Sequence, residues 1–117
     1  MKLVLIESPF AGDVARNIAY ARACMAHSLA HGEAPFASHL LYTQPGILDD
    51  TVPNERNLGI RAGFGWGAKA YLVAVYTDLG ITPGMRLGID RALSQLQEVE
   101  YRQLPQHLVP PPSEGYP

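Results

Sequence analysis

The chain is predicted to fold as one α/β domain, a small parallel sheet of four or five strands sandwiched by helices. Three observations predict this. Leu3–Ile6 and Ala70–Thr77 are uncharged apolar runs too short for helices of their own. That is the composition of strands buried on both faces. Helical periodicity separates and follows them, over Asp13–Ala30, Asn54–Lys69 and Thr82–Gln97. Each apolar run ends in turn residues, Glu7-Ser8-Pro9 and Asp78-Leu79-Gly80. A strand, a polar loop at its carboxyl end and a helix N-terminus form the usual ligand crevice of an open α/β sheet.

In chain order, Leu3–Ile6 is the first strand. Pro9 cannot donate to a ladder and holds Ser8 extended, which stops it. Asp13 is a good N-cap for the first helix, whose apolar face carries Val14, Ile18, Ala21, Cys24, Met25 and Leu29. Gly32 is the expected stop. Ala34–Leu41 is expected to be a second strand running into a loop, with His39 near its carboxyl end. Tyr42–Pro53 has no periodicity and is read as a loop of functional length. Asn54 is the expected cap of the second long helix. Gly59, Gly63 and Gly67 recur along that helix, at a cost of about 0.5–1 kcal/mol each relative to alanine. Such spacing points to close approach of a neighbour, either the sheet beneath or a symmetry mate. Ala70–Thr77 is the central strand. Thr82-Pro83-Gly84 then reads as N-cap, first helical residue and close-approach glycine. Glu98–Leu104 alternates and should be a short edge strand. The last residues, 104–117, are rich in proline and expected to be extended and poorly packed.

Size and charge narrow the function. With 117 residues the chain holds one core. A formal charge of −2 and the absence of a basic cluster argue against a nucleic-acid polymer as partner. Cys24 is the only cysteine, which excludes an internal disulfide and fits a cytoplasmic location. No signal-peptide layout and no apolar run of membrane-spanning length is seen, so no membrane association is expected. A small ligand or a protein partner remains.

Three stretches, SPFAGDVARNIAYAR, APFASHLLYTQPGILDD and ITPGMRLGIDRA, resemble the nucleoside 2-deoxyribosyltransferase-like superfamily. They are most similar to its small, phage- or prophage-borne branch. The resemblance covers residues 2–102 in order and implies a deoxyribosyltransferase-like domain over 1–103. It implies a flavodoxin-like, Rossmann-type three-layer sandwich and a homo-oligomer. It also implies a pocket for a nucleoside, nucleotide or nucleotide-derived molecule, with no cofactor. Active members of that superfamily use a glutamate of the late helix as nucleophile on the anomeric carbon, in a pattern resembling S-x-G-M-x-x-E-I. Here Thr82–Asp90 reads TPGMRLGID, so Gly88 stands at the nucleophile's place. Glycine cannot form the glycosyl-enzyme intermediate. Asp90 lies two positions on, about 200° around the helix.

The resemblance carries Ser8, Pro9 and Phe10 to the loop that lines base and sugar, and Asp13 and Asn17 to the helix start behind it. His39 falls in the PF-x-x-HLL match, and Asp49, Asp50 and Glu55 in the acidic segment after it. Asp78, Gly84, Met85 and Arg86 complete the expected ligand contacts. Asp90 and Glu55 are the candidate catalytic carboxylates. Several of these have plainer roles open to them: Asp13 as a helix cap, Phe10 as a packing plug, His39 as a backbone-bonded histidine, Gly84 as a tight turn. Asp49-Asp50 lacks a His or Cys partner at ligand spacing, so no metal is expected. Cys24 is read as core. Three functions compete: N-glycosidic cleavage or exchange, non-catalytic sequestration of a nucleotide-derived immune signal, and an oligomeric structural module.

Overall fold

Val4, Leu5 and Ile6 are almost wholly enclosed because their strand runs between two parallel neighbours. The computed structural model describes residues 1–117. Its elements are β1 (Leu3–Glu7), α1 (Val14–Ala30), β2 (Ala34–Phe36), α2 (Ser38–Leu41), α3 (Pro53–Gly67), β3 (Leu72–Tyr76), α4 (Pro83–Ser94) and β4 (Glu98–Arg102). The four strands are all parallel, in the order β2-β1-β3-β4. Glu7 pairs with Val75 across β1 and β3. The fold is a small Rossmann/flavodoxin-like sandwich, as expected.

Alternation along the strands builds two cores. Val4, Ile6, Ala74 and Tyr76 pack with Tyr20 and Cys24 of α1. Leu5, Val73 and Val75 pack with Met85, Ile89 and Ala92 of α4 on the other face. The Cys24 thiol is pushed up to about 12 by burial, in keeping with a core role. No helix is long and apolar enough to cross a membrane.

Several boundaries differ from expectation, each for a local reason. The second strand is only Ala34–Phe36, an edge strand where Pro35 needs no ladder partner for its nitrogen. His39 therefore sits on a one-turn helix, α2, closed by the Thr43 hydroxyl donating to the His39 carbonyl at 2.6 Å. Helix α3 begins at Pro53, with extended Val52 as its cap in place of Asn54. Proline suits that position because it has no N–H to leave unmet. Helix α4 stops at Ser94, three residues early. The tail is better packed than expected. Leu104 is buried and its N–H donates to Asp78 Oδ2 at 3.0 Å. Further on, the Pro110 carbonyl accepts from Arg16 Nε at 2.9 Å, and the Ser113 N–H donates to Asp13 Oδ2 at 2.7 Å.

The three spaced glycines meet neighbours within the chain. A Cβ at Gly59 would touch Leu48 at 3.3 Å, one at Gly63 would strike Ser38, and one at Gly67 would meet Arg91 and Leu5 at 2.8 and 2.9 Å. The close approach is made by side chains of α2, β1, α4 and the loop before α3.

Candidate functional site

The strand order reverses between β1 and β3, and at such a switch point the loops after the two strands part to leave a crevice. A cavity of about 390 Å³ occupies that place, within the range that takes a small organic molecule. Glu7, Ser8 and Phe10 through Gly12 form one wall, and Thr82 through Met85 with Gly88 the second. Ser38, His39, Tyr42 and Thr43 come from α2 and its exit, and Arg56, Gly59, Ile60, Gly63 and Phe64 from α3. Asp50 closes the rim by accepting from Arg56 Nη1 at 3.0 Å.

Glu7 is the residue that sequence reasoning missed. It ends β1 on the same face as Leu5, since side chains alternate along a strand, and so faces α4. A Cβ built on Gly88 would lie 2.6 Å from Glu7 Cδ. The Glu7 carboxyl thus fills the space that a side chain at position 88 would need. Burial pushes it up to about 8, against the opposing charge of Arg91. At neutral pH it is mostly an uncharged acid with a reserve of carboxylate. A lone acid closes a strand whose other residues are all apolar, and that pattern is too common at strand ends to have marked it in the sequence.

Ser8 and His39 are joined, with Ser8 Oγ 2.7 Å from His39 Nε2. Ser8 is buried, and burial brings the imidazole down to about 4, so the ring is neutral at pH 7. The α4 end of the cavity is built by its cap. Thr82 Oγ1 accepts from the Met85 N–H at 3.2 Å, and Pro83 occupies the first helical position. The Arg56 guanidinium lies close to Gly84, 3.1 Å from where its Cβ would be.

Of the residues expected at the site, Ser8, Phe10, His39, Glu55, Gly84 and Met85 line the cavity. The others have different work. Asn17 is buried and its Nδ2 donates to the Phe10 and Ala11 carbonyls at 2.8 and 3.0 Å, so it shapes the first loop from behind. Asp13 caps α1 through the Arg16 N–H and holds the tail through Ser113. Asp78 accepts from Tyr20 Oη at 2.6 Å and from the Leu104 N–H. Pro9 is buried behind the wall, and Arg86 and Asp90 point to solvent from α4. Asp90 is therefore not the carboxylate of the cavity. Glu55 lines it but accepts from the Asp49 N–H at 3.2 Å.

Fold and cavity together define a small parallel α/β protein with a ligand-sized crevice at its strand carboxyl ends. The chain belongs to the domain family DUF7768, a domain of unknown function, which matches residues 2–102. No curated protein and no solved structure gives a significant match.

Proposed function

We propose that the cavity receives a nucleoside or nucleotide and that Glu7 acts at its N-glycosidic bond. The observation that carries this is the Glu7 carboxyl, set in the space above Gly88 with no hydrogen bond to satisfy it. By the resemblance, the superfamily's reacting carboxyl would stand at position 88; here a carboxyl reaches the same space from the strand. Phe10, Tyr42 and Phe64 border the cavity and offer aromatic surface to a base.

In this reading the Glu7 carboxylate attacks the anomeric carbon. The C–N bond breaks, its electron pair leaves with the base, and the base takes a proton from solvent. Water then cleaves the sugar–Glu7 ester, releasing the sugar and restoring the acid. Only ionised Glu7 can attack, so base release should climb as pH rises through about 8. The test is mass spectrometry of free and protein-retained fractions after incubation with nucleosides, nucleotides and cyclic dinucleotides. Time-dependent free base, lost at least about 10³-fold in Glu7→Gln, supports the reading. Release unchanged in Glu7→Gln removes Glu7 from the chemistry.

A second reading has its own observation. The uncharged form that dominates at neutral pH donates a hydrogen bond and is no nucleophile. A pocket of that kind would capture a nucleotide-derived signal and return it unchanged. Retention of intact ligand near one per site, without free base, selects sequestration.

A further inference from the structure

Arg91 lies three residues beyond Gly88 on α4, so the two share a helix face and address the same stretch of β1. Its guanidinium is firmly anchored on one side. Nη2 donates to Gln97 Oε1 at 2.7 Å, and Gln97 Nε2 donates onward to the Gly67 and Ala70 carbonyls at 2.7 and 2.8 Å. Gly67 makes room for it, since a Cβ there would come within 2.8 Å of Nη2. The Phe64 ring centre lies 5.8 Å from Cζ. On the other side, Nε and Nη1 are buried and have no partner.

Two unmet donors on a buried cation are costly. Their natural complement is a carboxylate, and Glu7 stands on the Leu5 face of β1 with its own oxygens unbonded. The other charged or titratable groups around Glu7 offer less. His39 of α2 is neutral, Arg56 of α3 is paired with Asp50, and Glu55 is acidic. Arg91 is the uncompensated positive charge.

We infer that Arg91 is a positioning residue for Glu7: its guanidinium, fixed between Gly67 and Gln97 behind the cavity wall, is the counter-charge that supports the ionised Glu7 carboxylate without a direct ion pair to it. This rests on Glu7 as the reacting group, yet it is testable without any ligand. The experiment is carbon-detected NMR of the Glu7 carboxyl over pH, in protein labelled at glutamate carboxyls, with the resonance assigned by its loss in Glu7→Gln. Removing the cation in Arg91→Met should raise the Glu7 midpoint by about one pH unit or more, a tenfold loss of ionisation. Arg91→Lys keeps the charge and should recover most of that shift. Gln97→Met keeps the guanidinium but frees it, and should move the midpoint the same way by less. An unchanged midpoint in folded Arg91→Met overturns the proposal; if that variant does not fold, an unchanged midpoint in Gln97→Met does so. Where base release is measurable, its pH profile should move with the midpoint. The titration reads the Arg91–Glu7 coupling even in a protein inert to every nucleoside, so failure of the proposed function and failure of this inference remain separate results.

Discussion

At the scale of residues, one exchange organises the site: a glycine on α4 and an acid on β1 occupy each other's space. Gly88→Ala places a methyl group where the Glu7 carboxyl lies, and overpacking of that kind costs about 1–3 kcal/mol. Denaturant melts should show the loss, and the double variant Glu7→Ala/Gly88→Ala should regain most of it, because the two positions are directly coupled. Glu7→Gln tests the charge alone. Folding raises Glu7 from 4.5 to about 8, so the native state binds the extra proton between those values. Its contribution to stability is complete below the unfolded value and is lost as pH rises through about 8. Glutamine carries no such penalty. Glu7→Gln should match the wild type near pH 4 and exceed it by a few kcal/mol at pH 8, at about 1.4 kcal/mol per unit. Equal stability at both pH values would mean that Glu7 is not held uncharged. Gly88 could be singled out from the sequence because a pattern had a gap there. Glu7 could not, because an acid after an apolar run is the ordinary way for a strand to meet solvent.

At the scale of elements, legibility followed the strength of local chemistry. Helix α4 begins where Thr82-Pro83 announces it, since a hydroxyl cap and a fixed φ act within four residues. β3 was legible because an uncharged branched run has few alternatives to a central strand. The Ala34–Leu41 stretch was not. Its break at Ala37 depends on an edge position with one neighbour, a tertiary fact; the local Thr43 hydroxyl bond to the His39 carbonyl then closes the turn. The consequence matters, because the break brings His39 to Ser8. The α4 cap carries a prediction at this scale. Thr82→Ala removes the acceptor of the Met85 N–H and should cost about 1 kcal/mol. Because the same turn walls the cavity, loosened amide protection over residues 84–86 should accompany weaker ligand retention. Unchanged protection there would show that the wall does not depend on its cap. A second element contact lies at the far edge of the sheet. Arg102 donates to both Glu33 oxygens, at 2.8 and 2.7 Å, and holds that carboxyl down at about 2. A depressed carboxylate stabilises above its unfolded value and loses that contribution as pH falls toward about 2. Glu33→Gln should therefore lower the melting temperature at pH 7 and have little effect at pH 2, in thermal melts at the two pH values.

At the scale of the whole molecule, the last residues return to the first loop. Asp13 receives the Ser113 N–H and hydroxyl, Arg16 reaches the Pro110 carbonyl, and the Tyr116 hydroxyl stands 3.3 Å from where a Cβ on Gly12 would be. Gly12 and its neighbours Phe10 and Ala11 are wall residues of the cavity, so the tail braces the site from outside. A proline-rich end gave no hint of this, since its partners are about a hundred residues away in sequence. The bonds to Ser113 lower the Asp13 carboxyl below its ordinary value. By the same sign argument, docking is supported above the unfolded carboxylate value and is lost as pH falls through the lower folded one. Deleting residues 110–117 should speed hydrogen exchange of the amides over residues 10–16 at pH 7 while leaving β3 protected. Asp13→Asn should reproduce that loosening in the intact chain, and the difference between Asp13→Asn and wild type should shrink in acid. Unaltered exchange over residues 10–16 in the shortened chain would mean that Asn17, through its bonds to the Phe10 and Ala11 carbonyls, holds the wall alone.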